Sequence, residues 1–246
     1  MLNRSTIRLS VVIPAYNEEL RLARTLDQCI EYLKAQSYGS EIIVVNDGST
    51  DGTEGIVRDQ FSAPVPVRLL AHPDGANHGK GASVKLGMMS ASGSYRLFMD
   101  ADNSTTLDQV ERFWPYIDRG YTVIIGSRAL KDSVVSRHQA RYKELAGRFG
   151  NWYIRTFAVP GIRDTQAGFK MFADSEADIL FSRQTIDRWG YDVELLAIAQ
   201  LHGCRIVEIP ITWINAPGSK VTLRSYFEVL SEVWRIRKNL KAGLYK

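Results

Sequence analysis

Asp100-Ala101-Asp102 sets two carboxylates two residues apart, directly after the short apolar run Tyr95–Met99. Carboxylates so placed can converge on one divalent cation. Hard oxygen ligands suit Mg2+ or Mn2+, ions that keep waters and bridge to substrate phosphates. A cation there would neutralise charge on a departing diphosphate. The same residues also suit a simpler task, because Asp102 and Ser104 can cap a following helix.

Asp47 lies in Asn46-Asp47-Gly48-Ser49-Thr50-Asp51-Gly52, a turn by composition. Aimed into the same cleft, its carboxylate can accept hydrogen bonds from a base N–H or a ribose hydroxyl. Pro14-Ala15-Tyr16-Asn17-Glu18 can wrap a nucleoside, with Tyr16 as an apolar face, or can simply begin a helix. His78-Gly79-Lys80-Gly81-Ala82-Ser83 fails as a phosphate loop. That motif needs four residues between its first Gly and Gly-Lys, whereas three separate Gly75 from Gly79, and Gly81 follows the lysine. A glycine-rich helix start remains, with Lys80 able to meet a bound phosphate.

These residues need elements to hold them, and the first half of the chain alternates strand and helix. Leu9–Ile13, Glu41–Val45, Val67–Ala71, Tyr95–Met99 and Tyr121–Ile125 read as short strands. Glu18–Gln36 has helical spacing at Leu22, Leu26, Ile30 and Leu33, and further helices are expected from about Asp51, Gly81 and Thr106. The pattern implies a largely parallel sheet covered on both faces, in which ligands bind at the carboxyl ends of the strands. Three strand ends carry the polar motifs above, so they should share one edge. Further on, Arg137–Phe157 and Asp192–His202 read as helices, and Asp164–Phe172 and Arg205–Trp213 as strands. Ser225–Leu240 reads as an amphipathic basic helix with Tyr226, Phe227, Leu230, Val233 and Trp234 on its apolar face. No repeat or linker divides the chain, so residues 1–246 are expected to form a single α/β domain.

Two cysteines, Cys29 and Cys204, exclude a disulfide framework or a thiolate metal site and fit a reducing cytosol. No segment has the roughly 18 uninterrupted apolar residues of a membrane span, and Leu9–Ile13 is too short for a signal peptide. The net charge of +4 is uneven. Arg128–Arg155 and Lys220–Lys246 each carry +5, leaving 17 basic and 23 acidic residues elsewhere. Such segments are solvated helix faces or the footprint of an anionic partner. Basic residues interleaved with Tyr, Trp and Phe suit an anionic membrane surface. Without a recognition motif, nucleic acid is not an expected partner.

Taken in order, Val11-Val12-Ile13-Pro14-Ala15-Tyr16-Asn17-Glu18, Val44-Val45-Asn46-Asp47-Gly48-Ser49-Thr50-Asp51-Gly52 and Asp100-Ala101-Asp102 resemble the signature blocks of family 2 glycosyltransferases. The likeness continues through Asn77-His78-Gly79-Lys80-Gly81, Gly126-Ser127-Arg128 and Asp164-Thr165-Gln166-Ala167-Gly168-Phe169-Lys170. It ends with Trp189-Gly190-Tyr191-Asp192-Val193-Glu194-Leu195 and Gly218-Ser219-Lys220. Within that family the pattern is similar to the polyprenyl-phosphate sugar synthases, most of all the dolichyl-phosphate β-glucosyltransferases.

The resemblance implies a Rossmann-like A-type glycosyltransferase domain and an inverting transfer from a nucleotide sugar to a polyprenyl phosphate on the cytosolic membrane face. UDP-glucose is the donor it implies first and GDP-mannose the nearest competitor. By position, Pro14, Ala15, Tyr16, Glu18 and Asp47 would hold the nucleoside, with Lys80 and Lys220 on donor phosphate. Asp100 and Asp102 would serve the metal, and Ala101 would pass close to the donor. Asp192 and Glu194 would lie near the donor sugar, and Asp164 and Gln166 would line the sugar and acceptor side. Arg128 would meet phosphate, joined on the acceptor by Arg137, Arg141 and Arg148. A phosphate monoester, with a second pKa of about 6, needs cations more than a base. For a hydroxyl acceptor, soluble or polymeric, Asp164 would be the first candidate base. Many members of the resembled group carry transmembrane helices after this domain. This chain stops without one, so a separate membrane protein is an alternative anchor.

Overall fold

The run Ile7-Arg8-Leu9-Ser10-Val11-Val12-Ile13-Pro14-Ala15 is apolar at most positions, the composition of a strand covered on both faces. In the computed structural model, which describes residues 7–136, 150, 153–214 and 223–246, it forms the inner strand β1 (Ile7–Ala15). Around it lie β2 (Gly39–Asn46), β3 (Val67–Ala71), β4 (Tyr95–Met99), β5 (Val123–Ser127), β7 (Phe169–Ala173) and β8 (Ile206–Pro210). Their order in the sheet is β3-β2-β1-β4-β7-β5-β8. Two short strands, β6 (Val134–Ser136) and β9 (Thr212–Ile214), pair in parallel as a separate ribbon.

Side chains alternate between two cores, as a period of two requires. Val11, Ile13, Ile42 and Val44 face α1 (Leu22–Lys34) and α2 (Thr53–Asp59), which contribute Leu22, Leu26, Cys29 and Val57. On the other face Val12, Ile43, Val45 and Phe98 meet α3 (Lys80–Ser90), followed across the sheet by α5 (Asp174–Arg183) and α6 (Tyr191–Leu201). Each such side chain contributes about 1.5–3 kcal/mol when fully buried. Between β4 and β5, a 3-10 turn (Leu107–Arg112) precedes the short α4 (Trp114–Ile117). The expected continuous helix is broken there by Pro115, which lacks the N–H that a helix interior needs.

The largest departure from a simple alternating sheet is β7. It runs antiparallel to both neighbours, with Met99 opposite Phe169 and Tyr95 opposite Ala173. Its beginning therefore lies at the edge where β1, β2, β4 and β5 end. The strand expected over Asp164–Phe172 starts only at Phe169, so Asp164–Gly168 is a loop across that edge. The strand expected over Arg205–Trp213 is likewise two, β8 and β9, which change partners after Pro210.

The C-terminal helix α7 (Leu223–Ala242) packs Val229, Val233 and Ile236 into the core. Trp234, expected on that apolar face, is instead 62% exposed, one helical step round from Val233. The side chains of Tyr226 and Phe227 lie outside the described residues. Among the described residues, no helix is long and apolar enough to cross a membrane.

Candidate active site

At the sheet edge, the end of β4 and the start of α3 meet. The Lys80 ammonium lies 2.5 Å from Asp100 Oδ1. Gly79, at φ 102°, sets this helix start, and a Cβ there would come within 2.7 Å of the Asp187 carbonyl oxygen. Asp102, two residues on, accepts the Ser104 N–H at 3.0 Å, the local bond expected of a cap. Burial and the charge of Asp100 push its carboxyl above the ordinary value. Burial alone would lower the Lys80 ammonium, but Asp100, Asp192 and Asp102 hold it above its usual range.

Opposite, the loop before β7 delivers Asp164 to Arg128, just past the end of β5. Arg128 Nε and Nη2 each donate to the Asp164 carboxylate at 2.8 Å, as does the Arg128 backbone N–H. The guanidinium also lies 5.5 Å from the Trp213 ring centre. Burial opposes ionisation of Asp164, yet Arg128 keeps its carboxyl below the ordinary value. A carboxylate so paired is poorly suited to be the base that a hydroxyl acceptor would need. Glu208, on β8, fixes the loop: it accepts Ser127 Oγ, Asp164 N and Arg163 N, each at 2.9 Å. Gln166 is half-buried in the same loop.

The Asp164–Arg128 pair has a clear pH signature. Its folded carboxyl titrates below the unfolded value of about 3.9, so its stabilisation is complete above that value and lost only on further acidification. Asp164→Asn should therefore be less stable by about 2 kcal/mol, less than for a fully buried pair because Arg128 is partly exposed. In urea titrations the gap from wild type should be the same at pH 7 and pH 4.5. A gap that closed by pH 5.5 would contradict this pairing.

Beneath the two pairs lies a third. Lys170, in mid-strand β7 and 0% exposed, donates to Asp192 Oδ1 and to the Ala167 carbonyl, both at 2.6 Å. Burial raises the Asp192 carboxyl and lowers the Lys170 ammonium, and their mutual attraction opposes both shifts. Among the described residues, three cations (Lys80, Arg128, Lys170) thus face four carboxylates (Asp100, Asp102, Asp164, Asp192). The oxygen donors of Asp100 and Asp102, two residues apart at the strand end, fit a divalent cation. Among the described residues no group of three or more His, Cys, Asp or Glu side chains could hold a metal ion. A cation here would complete its shell with phosphate oxygens and water, the usual habit of Mg2+.

Two residues without an assigned role in the sequence reading belong to this centre. Lys170 could have been noticed as the lone charge within Phe169-Lys170-Met171-Phe172. Gly168 gives no such local signal. A Cβ on it would overlap the Asp100 carboxylate.

The remaining expected residues are placed as follows. The Asp47 carboxylate is buried and accepts the His78 N–H at 2.9 Å, the Gly79 N–H at 3.0 Å and Asn77 Nδ2 at 2.9 Å. It ties down the glycine-rich loop rather than standing open. The backbone N–H of Asp47 donates to the Ala15 carbonyl at 2.8 Å, joining the ends of β1 and β2. Tyr16 is exposed beside it, after Pro14, and Glu18 is paired with both Nε and Nη2 of Arg21. The Ala101 carbonyl accepts Thr25 Oγ1 at 2.7 Å. Arg137, Arg141, Arg148 and Lys220 lie outside the described residues.

Glu194 is placed away from the site. Residues two apart on a helix point about 200° apart, so Asp192 faces the centre and Glu194 the other side of α6. Its carboxylate accepts Thr185 Oγ1 at 2.6 Å, Ile186 N at 2.9 Å and Tyr245 Oη at 2.6 Å. Burial, then Glu194, pushes the Tyr245 phenol up to about 12. This contact holds the loop whose Asp187 carbonyl accepts the Ala82 N–H at the start of α3. Tyr245→Phe keeps the packing and deletes the bond donated to charged Glu194, about 1.5 kcal/mol, together with the one accepted from Asn239 Nδ2. Thermal unfolding should fall by at least about 3–6 °C; an unchanged midpoint would show that these bonds contribute nothing.

The charge cluster lies at the carboxyl ends of the strands, the edge where sheets of this class bind their ligands. Residues 10–177 match the family model described as glycosyl transferase family 2, and the chain belongs to that family. It is a glycosyltransferase of the A-type fold. Similar curated proteins include the dolichyl-phosphate beta-glucosyltransferases of Homo sapiens, 35% identical over 98% of this chain and 78% of that protein, and of Dictyostelium discoideum, 34% identical over 98% and 77%. The fold is shared with glucosyl-3-phosphoglycerate synthase from Mycobacterium tuberculosis, crystallised with Mn2+, UDP-glucose and phosphoglyceric acid. The TM-score is 0.69 at 18% identity, covering 98% of this chain and 81% of that one.

Proposed function

We propose that this enzyme transfers glucose, with inversion, from UDP-glucose to dolichyl or another polyprenyl phosphate, using Mg2+ or Mn2+. The relatives named above support the sugar and the acceptor. The observation that carries the acceptor class is Arg128, fixed on Asp164, whose paired carboxylate is poorly suited to act as a base. Two of its N–H groups are taken by Asp164, and the rest of the guanidinium can meet a phosphate. A dianionic phosphate oxygen attacks the anomeric carbon without losing a proton, and the bond from that carbon to the donor diphosphate breaks. Lys80 meets the departing diphosphate, Asp192 lies near the sugar, and Tyr16 lies along the nucleoside. Asp100 and Asp102 would hold the metal, which would supply Lewis-acid stabilisation of the leaving group.

Labelled nucleotide sugars offered with a short polyprenyl phosphate, with Mg2+, Mn2+ or chelator, test this reading. Metal-dependent glucose in the lipid phase is expected. Labelling from GDP-mannose instead would change the donor, and donor binding with transfer only to soluble hydroxyls would overturn the acceptor.

The enzyme is further proposed to work as a peripheral protein on the cytosolic face of a membrane. Trp234, Lys238 and Lys241, spaced i, i+4 and i+7, are all exposed on α7, with Arg235 beside them. An exposed aromatic among lysines suits an anionic headgroup layer. Sedimentation with phosphatidylserine vesicles should decline as salt is raised. Equal binding to neutral vesicles, or none to either, would contradict this.

A further inference from the structure

The two carboxylates at the end of β4 are not equally available. Asp102 gives one oxygen to the Ser104 N–H, a local bond. Asp100 holds the Lys80 ammonium at 2.5 Å. Magnesium- or manganese-sized ions sit about 2.0–2.2 Å from a carboxylate oxygen. An ion so bound to Asp100 Oδ1 would share its coordination space with the ammonium, and two cations that close repel strongly at any dielectric a protein offers. On the Gly168 side Asp100 cannot retreat, because Gly168 lies directly against its carboxylate with no room even for a Cβ.

Lys80 is the first residue of α3, with Gly79 behind it. Its stem can reorient from Asp100 only if another anion receives the ammonium. Asp192 is already engaged by Lys170, and Asp102, the other carboxylate whose charge reaches Lys80, is assigned to the same metal. A diphosphate arriving at the strand ends is the remaining anion of the right charge.

We infer that Lys80 occupies the cation seat on Asp100 in the free enzyme and yields it only to a nucleoside diphosphate, so that divalent-metal binding depends on the nucleotide. This rests on the assignment of Asp100 and Asp102 to the metal in the proposed function. The consequence is a change of sign. Were Lys80 only a donor contact, its removal would weaken nucleotide binding and leave metal binding without nucleotide unchanged. As the seat's occupant, its removal frees Asp100 and tightens metal binding in the absence of nucleotide.

Mn2+ binding is measured by electron paramagnetic resonance on wild type, Lys80→Met, Lys80→Arg and Asp102→Ala, each with and without UDP. Wild type should bind Mn2+ weakly alone and much more tightly with UDP, within the 5- to 150-fold span, about, that coupled sites show. Lys80→Met should bind Mn2+ alone about tenfold more tightly than wild type, with most of the UDP enhancement lost. Lys80→Arg, which keeps a cation, should resemble wild type and serves if the methionine variant does not fold. Lys80→Met binding Mn2+ alone no more tightly than wild type would overturn the inference. So would Lys80→Arg behaving as a freed seat. Wild type binding no Mn2+ even with UDP, or Asp102→Ala binding it normally, would instead overturn the metal assignment.

Discussion

Asp102→Ala should lower sugar transfer by about a thousandfold, the scale of removing one preorganised electrostatic partner from a charge-developing step, while leaving the protein as stable as before. The two halves of that expectation come from the same fact. Asp102 is held near Asp100 with its carboxyl above the ordinary value, so its ionisation works against the folded state at neutral pH. A carboxyl with a raised folded value makes stability fall as pH rises through it. Removing it therefore relieves repulsion, which offsets the loss of the bond to Ser104, worth about 1 kcal/mol. Thermal unfolding at pH 7.5 should stay within about 3 °C of wild type. A large fall in both activity and midpoint would recast Asp102 as a helix cap. Unchanged activity would remove it from the metal site.

Gly168→Ala should cost about a hundredfold in kcat/KM, because a misplacement of about 1 Å at reacting groups has that effect. Its added methyl meets the Asp100 carboxylate. Neither partner can withdraw easily. Asp100 is engaged by Lys80, and Met99 and Phe169, the residues beside the pair, are opposite one another in the sheet. Overpacking of this kind costs about 1–3 kcal/mol. The cause can be isolated by a double-mutant cycle. In an Asp100→Ala background there is no carboxylate to meet, so Gly168→Ala should cost little further stability. Additive losses would place the strain elsewhere, in the loop backbone.

What could be read along the chain were the features that depend on near neighbours. Strands β1 to β5 follow from short apolar runs between helical repeats, and polar motifs directly after such runs must fall at one edge of a parallel sheet. That is why Tyr16, Asp47 and Asp100 could be brought to one side of the molecule from residue order alone. The terminal amphipathic helix was legible too, although its exact facing was not. Val233 and Trp234 are adjacent, and only the surface available on α6 and its neighbours settles which one is buried.

The rest depends on pairings between residues far apart in the chain. Reversal of β7 turns Asp164–Gly168 from strand to loop and sets Gly168 against Asp100, 68 residues earlier. No local periodicity encodes that choice. Asp47, Asp164 and Glu194 look alike as acidic residues in motifs, yet their partners differ: backbone N–H groups of a glycine-rich loop, a guanidinium, and a threonine–tyrosine pair. A carboxylate's chemistry is set by the charge and hydrogen bonds around it, and those neighbours exist only once the sheet has been assembled.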